Sequence, residues 1–94
     1  MTLSVAKLSA STVGVYLSMT AGDQPIVLRR VTIQWFHSDG NMFSSHAFRP
    51  DQFIEENISI LVASMPIVAG ATQVKASANY EVIAGVAESS KLAL

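Results

Sequence analysis

The chain has 94 residues, of which 14% are charged, a formal net charge of −1 and no cysteine. This length suits a single hydrophobic core, the charge balance without any run of Lys or Arg argues against direct nucleic-acid binding, and the lack of cysteine excludes disulfides and thiolate metal sites. Because about 25% of the residues of ordinary globular chains are charged, small and apolar residues must cover part of this surface, and such surfaces usually meet another protein.

Two short alternating segments open the chain. Leu3 and Val5 fall on one face of the first segment, and the next segment alternates over residues 13–17 after the pair Ser11 and Thr12. Alternation of this kind predicts two early strands, or one long kinked strand. Residues 21–25, AGDQP, are dense in turn formers and predict a loop before the next strand.

The clearest strand is predicted over residues 26–37, where β-branched and aromatic residues dominate. Val31, Ile33 and Trp35 share the face that should look into the core. The pair Asp39 and Gly40 then interrupts the pattern before alternation resumes over residues 42–48. An Asp-Gly pair between two alternating segments predicts a β-hairpin.

The second half of the chain continues in the same style. Asp51 could cap one helical turn over residues 52–56, after which residues 57–64 return to strand-forming types. The long last strand is predicted over residues 73–84, with one apolar face and one polar face. The predicted apolar face comprises Val74, Ala76, Ala78, Tyr80 and Val82. The tail, residues 85–94, either frays or docks on a neighbour.

Together these segments predict one all-β domain over residues 1–94, an antiparallel β-sandwich or a jelly-roll-like barrel with at most one short helical turn. The N-terminal residues 1–10 lack the unbroken apolar stretch of a signal peptide. The longest apolar segment, residues 58–71, is interrupted by Pro66 and Gly70 and is too short to span a bilayer as a helix, so no membrane anchor is expected.

Residues 57–84, NISILVASMPIVAGATQVKASANYEVIA, resemble the final hairpin of jelly-roll coat proteins from small positive-strand RNA viruses. In that family a strand, a turn with small residues and a long last strand close the barrel, often with a pattern like that of Tyr80, Glu81 and Val82. The resemblance covers under a third of the chain, and the basic N-terminal arm and longer barrel of such coats are absent. It implies a reduced coat, a projecting domain or another virion component, and location in a virion.

The ionisable residues form two candidate clusters. His37 and His46 flank the hairpin, where pairing could bring them near Asp39 or Asp51 as a metal or acid–base site, although two histidines without an established third ligand are more often surface groups. Asp51, Glu55 and Glu56 could bind calcium or act in acid–base catalysis, but a solvated, capped turn is the favoured interpretation. No metal site, catalytic residue or cofactor is therefore predicted.

Three further features carry no specific chemistry. Arg29 and Arg30 should point to opposite faces of a strand and so cannot clamp one ligand together. The sequon at Asn57 is expected to be incidental without secretion. The remaining candidates are serine hydroxyls, none of which stands in a nucleophile elbow; they are Ser38, Ser44, Ser45 and Ser64. The chain is therefore expected not to be an enzyme.

The favoured functional hypothesis is a self-assembling structural subunit that forms a homo-oligomer through an edge strand or an apolar strand face. The alternative is a small ligand-binding or carbohydrate-binding β module, because aromatic residues concentrate around the hairpin. Trp35 is expected in the core, and one or two of Phe36, Phe43 and Phe48 are expected on the opposite face. The residues predicted at the interface are Leu3, Val5, Lys7, Phe36, Phe43, Phe48, Lys75 and Glu81.

Overall fold

The computed structural model describes residues 1–81 and 85–94, and these form strands with no helix. The strands are β1 (Thr2–Ser9), β2 (Thr12–Ser18), β3 (Ile26–Phe36), β4 (Met42–Phe48), β5 (Gln52–Ile54), β6 (Ser59–Pro66), β7 (Gln73–Glu81), β8 (Gly85–Glu88) and β9 (Leu92–Ala93). They build two antiparallel sheets. The small sheet has the order β1-β2-β6, and the large sheet has the order β4-β3-β7-β8, with β5 on β3 and β9 on β7.

The two sheets pack face to face as a β-sandwich, which confirms the predicted fold class. No ladder joins the small sheet to the large sheet among the described residues, so the sandwich, not the closed barrel, is the arrangement seen there. The strand orders are β1-β2-β6 in one layer and β4-β3-β7-β8 in the other, with the short strands β5 and β9 added to the second layer. This strand order describes architecture and assigns no function.

The core lies between the sheets and is built by alternation. Val13, Val15 and Leu17 of β2 are fully buried, and so are Val31, Ile33 and Trp35 of β3. The inward face of β7 contributes the buried residues Val74, Ala76 and Ala78, and Tyr80 is half-buried. These faces are as predicted. Val82, which was predicted on the same face, lies outside the described residues.

The hairpin at residues 37–41 forms as predicted. Gly40 donates its N–H to the carbonyl of His37, and His37 donates its N–H to the carbonyl of Asn41, each at 2.9 Å. Gly40 has a φ of 86°. This is the three-residue loop in which a type I turn is followed by a left-handed residue, a position that glycine occupies without steric cost.

The predicted helical turn after Asp51 is wrong. Residues 52–54 form β5, which pairs with the start of β3 so that Ile54 lies buried opposite Ile26. A single helical turn fixes several dihedral angles for one hydrogen bond, whereas this short strand gains ladder bonds and a buried isoleucine. Asp51 itself has a φ of 43°, outside the helical region.

The hairpin predicted over residues 57–84 is also wrong. Among the described residues β6 pairs only with β2, in the small sheet, whereas β7 pairs with β3 in the large sheet. The segment between them therefore crosses from one sheet to the other. Strand β7 is not the last strand either. The chain returns along β7 as β8 and β9, so the tail docks on its own domain. The resemblance to viral coat proteins itself stays a prediction.

Candidate functional site

The outer face of the small sheet differs from every other surface described here. Because Val13, Val15 and Leu17 point into the core, the residues that alternate with them point outward, and the strand register identifies their neighbours on β1 and β6. This surface, which we name the uncharged face, comprises Thr2, Ser4, Ala6, Leu8, Thr12, Gly14, Tyr16, Ser18, Ser59, Leu61, Ser64 and Pro66. None of these residues carries a charge.

The centre of the uncharged face is an apolar ridge over Gly14. A Cβ atom at this glycine would lie 2.7 Å from Cδ1 of Leu61 and 2.9 Å from Cδ1 of Leu8. The two leucines therefore rest directly on the backbone of β2, where a larger residue would displace them. Leu8 remains 41% exposed and Leu61 remains 43% exposed. The ridge is held in place and is open to a partner.

The outer face of the large sheet is polar and contains several ion pairs. Arg29 bridges two neighbours, with Nε 3.0 Å from Glu81 and Nη1 3.2 Å from Asp51. Glu81 first and Asp51 second hold the pKa of this guanidinium above its usual range. Lys75 lies 3.7 Å from Glu88 on the same sheet. Both contacts of Arg29 are exposed to solvent, where such pairs contribute little stability.

Arg29 and Arg30 were predicted on opposite faces, and this prediction is wrong because a bulge interrupts the alternation. The register between β3 and β7 shifts between Leu28 and Arg30, so Leu28 and Val31 are both buried and both arginines are exposed. The shift on the β4 side does not disturb the alternation of β3, because its extra residue is Phe43 of β4. Phe36 therefore lies outside the core cluster, and its ring is buried on the other side of the sheet beneath Lys91.

The predicted interface residues do not gather on one surface. Leu3 is buried, Val5 packs against the core, and Lys7 is exposed at the end of β1. Phe36 is 8% exposed and lies beneath Lys91, whose Nζ is 4.1 Å from the ring centroid. The others belong to the large sheet: Phe48 packs against the core, Phe43 is exposed, and Lys75 and Glu81 form the ion pairs above. Their role at an interface stays a prediction.

The two histidines are separated. His37 stacks on Phe43 at the hairpin tip with ring centroids 3.9 Å apart, whereas His46 lies opposite Ile33. Ile33 and His37 are four positions apart along the extended chain, which corresponds to about 13 Å. His37 is close enough to contribute to the lowered pKa of Asp39, but the main cause is the N–H of Asn41. The structure does not bring the two imidazoles together.

The acidic residues are also dispersed. Asp51 accepts a hydrogen bond from Arg29, and Glu56 accepts one from the N–H of Gly22 at 3.1 Å. Within the described ranges no three His, Cys, Asp or Glu side chains come together in a way that could hold a metal ion. The same ranges contain no helix of the length and apolar character needed to cross a membrane.

One pocket of about 280 Å³ opens at the end of the sandwich where β2 leads into β3. Its walls are largely apolar and include Met19, Ile26 and Tyr80. Asp23 lies at its rim, where it forms an ion pair of 2.9 Å with the N-terminal ammonium group. The charge of the carboxylate is therefore already balanced by the ammonium group. The residues that line the pocket do not include a nucleophile beside a base.

No family model, curated protein or solved structure matches the chain. The uncharged face is thus the strongest candidate site on structural grounds. Sequence reasoning missed it because β1 and β2 are far from β6 along the chain. A signal was nevertheless present: Lys7 is the only charged residue in these three strands, and it lies on their core-facing side.

Proposed function

We propose that the protein is a non-catalytic, self-associating structural subunit. The observation that carries the proposal is the contrast between the two outer faces of the sandwich. The uncharged face carries no ionised group, whereas the large sheet carries Arg30, Lys75, Glu81 and Glu88. A surface that contacts another protein loses its water, and burying ions is costly unless each one is paired.

The side chains of the uncharged face suit burial against a flat partner. Ala and Gly lose little or no side-chain entropy when they are immobilised, and Ser and Thr can hydrogen-bond across an interface. Leu8 and Leu61 supply the apolar anchor, and the half-buried Tyr16 adds an aromatic ring with a hydroxyl group. Aromatic residues are enriched at protein interfaces for this reason.

The size of the uncharged face sets the strength of such a contact. Three strands spaced by about 4.8 Å, each about seven residues long, cover about 320 Å². A standard stable interface buries about 800 Å² on each partner. The uncharged face alone therefore supports a weak contact, and a stable assembly requires a second contact.

We further propose that the assembly is a virion component. The support for this finer proposal is the resemblance of residues 57–84 to coat proteins, together with the charge-poor composition. Electron microscopy of the concentrated protein tests it. Regular particles or filaments of one diameter are expected, and amorphous or strictly dimeric material would contradict it.

Sedimentation velocity of charged variants tests self-association through the uncharged face. Ser4 and Ser64 are both exposed on this face, so Ser4→Lys and Ser64→Lys together place charges on it without changing the core. The control is Ser77→Lys, which adds the same group to the outer face of β7. We expect at least a tenfold weaker association in the double variant, about 1.4 kcal/mol, and no change in the control.

Two outcomes of this experiment contradict the proposal. If the wild-type protein remains at the monomer mass of 10.0 kDa at high concentration, self-association is ruled out. Association that is as strong in the double variant as in the wild type moves the contact to another surface. In the first case the alternative, a ligand-binding module, gains support from the exposed ring pair of His37 and Phe43 at the hairpin tip. Saccharide-induced NMR shifts confined to those two residues would identify it.

A further inference from the structure

The free edge of β4 presents two residues whose backbone groups point away from the sheet. His37 makes its backbone hydrogen bonds on the β4 side of β3, whereas the carbonyl of Phe36 accepts a hydrogen bond from Thr72, which precedes β7. Because these directions alternate along a strand, Trp35, Ile33 and Val31 bond toward β4. Their partners are Ser44, His46 and Phe48. Ser45 and Ala47, which lie between these partners, therefore direct their N–H and C=O groups to the open edge.

This edge is less protected than the free edges of β1, β6 and β8. The free edge of β1 includes Lys7 and a bulge, and β6 is interrupted by a bulge at Val62 and ends in Pro66. On the far side of the large sheet, β8 ends in Glu88, and the ladder breaks there before β9. Proteins normally guard sheet edges by charges, prolines and bulges of this kind.

Strand β4 lacks most of these guards. It contains no Lys, Arg, Asp or Glu, and its bulge, at Phe43, leaves the five residues from Ser44 to Phe48 in regular register. The side chains of Ser45 and Ala47 are too small to obstruct an approaching strand. Met42 is 52% exposed and Phe43 is 37% exposed beside this stretch. An uncharged edge with exposed apolar neighbours is a typical site of strand pairing between chains.

We propose that β4 pairs antiparallel with β4 of a second copy of this chain, around a two-fold axis at His46. In this register Ser45 of each copy exchanges backbone hydrogen bonds with Ala47 of the other, and all the outward-directed groups of both residues are satisfied. The contact is self-complementary, as a two-fold interface requires. It joins two large sheets edge to edge.

The second copy is the occupant that fits because the uncharged face is too small by itself. The inference rests on the proposed function in this respect: it supplies the second contact that a stable assembly needs. Two different two-fold contacts on one subunit build an assembly larger than a dimer. Where their axes intersect the assembly closes with dihedral symmetry, and otherwise the contacts alternate along an open chain of subunits whose mass increases with concentration.

Proline at position 47 tests the edge contact. Ala47→Pro removes an N–H that β3 does not use, and proline is tolerated on edge strands when its nitrogen faces solvent. Ala47→Lys is the second variant, which restores a charge guard without any change in the backbone. Circular dichroism and the fluorescence of the buried Trp35 confirm that each variant is folded.

The masses of four variants separate the two contacts. We expect the wild-type mass to increase beyond twice 10.0 kDa with concentration, and Ala47→Pro and Ala47→Lys to stop at the dimer formed through the uncharged face. The double variant Ser4→Lys with Ser64→Lys should stop at the dimer formed through β4. A variant that combines Ala47→Pro with Ser4→Lys and Ser64→Lys should give the monomer.

Each contact can fail separately in this experiment. If both Ala47 variants assemble as the wild type does, the β4 contact is overturned and the uncharged face stands. If the Ala47 variants become monomers while Ser4→Lys with Ser64→Lys assembles as the wild type does, the β4 contact stands and the uncharged face falls. Amide hydrogen exchange gives a direct reading: the N–H groups of Ser45 and Ala47 should exchange more slowly at high concentration than at high dilution. Equal rates at both concentrations would overturn the β4 contact.

Discussion

Ser89 joins two short strands at the level of one residue. Its N–H donates to the carbonyl of Ala76 at 2.8 Å, and its Oγ accepts the N–H of Ala76 at 2.7 Å and donates to the carbonyl of Ser90. The hydroxyl group thus takes the place of a backbone carbonyl where β8 ends. It satisfies an amide group in the middle of β7 that would otherwise be buried without an acceptor.

Removing this hydroxyl group should destabilise the fold. We expect Ser89→Ala to lower the free energy of unfolding by about 1–3 kcal/mol, because the N–H of Ala76 is left without a partner. Urea unfolding followed by the fluorescence of Trp35, the single buried tryptophan, measures the change. The control is Ser90→Ala at the exposed neighbour, which should remain within about 0.5 kcal/mol of the wild type. Equal stability of both variants would contradict this role of Ser89.

Asp23 links acid stability to three donors on one oxygen. Its Oδ2 accepts hydrogen bonds from the N-terminal ammonium group and from the N–H and hydroxyl groups of Thr20. The ammonium group first, and Thr20 next, lower the pKa of Asp23 from 3.8 to about 2. Because the folded pKa lies below the unfolded one, the stabilisation is complete above pH 3.8 and is lost as the pH falls through about 2.

The pH dependence of this stabilisation is testable with one substitution. We expect the difference in unfolding free energy between the wild type and Asp23→Asn to be constant between about pH 5 and pH 7 and to shrink between pH 4 and pH 2. Urea titrations at a series of pH values measure it. A carbon NMR titration of the Asp23 carboxyl group should give a midpoint near 2. A midpoint near 3.8 would show that the three donors do not act on the ionised form.

Gly40 determines the geometry of the β3–β4 hairpin at the level of the element. A Cβ atom at this position would meet nothing within 4 Å, so the cost of a substitution comes from the φ of 86° alone. We expect Gly40→Val to lower the free energy of unfolding by about 1–2 kcal/mol, and Gly40→Asn to lower it by less, because asparagine tolerates this conformation. Urea unfolding of both variants measures the difference. Equal losses would indicate a cause other than backbone conformation.

The strands show how far local patterns predict this fold. The alternation of Val31, Ile33 and Trp35 correctly predicted a core face, because burial of every second side chain follows from strand geometry. The prediction failed at Arg29, where β3 has one residue more than its partner β7. A bulge adds a residue that depends on the partner strand, so nothing local in the sequence marks it. The short strand after Asp51 was missed for the same reason, because its pairing with β3 overrides a weak capping signal.

In the complete sandwich, the position of the candidate site depends on which strands pair, and local sequence patterns do not predict the pairing of β2 with β6. The low fraction of charged residues, 14%, predicted a protein interface but not its position. Strands β1 and β2 are adjacent in the sequence, whereas β6 follows more than forty residues later and joins them only in the folded sheet. The uncharged face exists because Leu61 of β6 and Leu8 of β1 meet over Gly14. A contact between residues so far apart in the sequence is determined by the order of the strands in the sheet.

The response of the assembly to salt provides the last prediction, because it separates an uncharged contact from an ionic one. Contacts through the uncharged face and through the β4 edge contain no ion pair, so screening should not weaken them. We expect the mass-average molecular weight at a fixed protein concentration to be unchanged between 0.05 and 1 M NaCl, and to increase in sulfate, which strengthens apolar burial. Sedimentation equilibrium measures it. Dissociation as NaCl increases would instead place the contact on the ion pairs of the large sheet, Lys75 with Glu88 and Arg29 with Glu81.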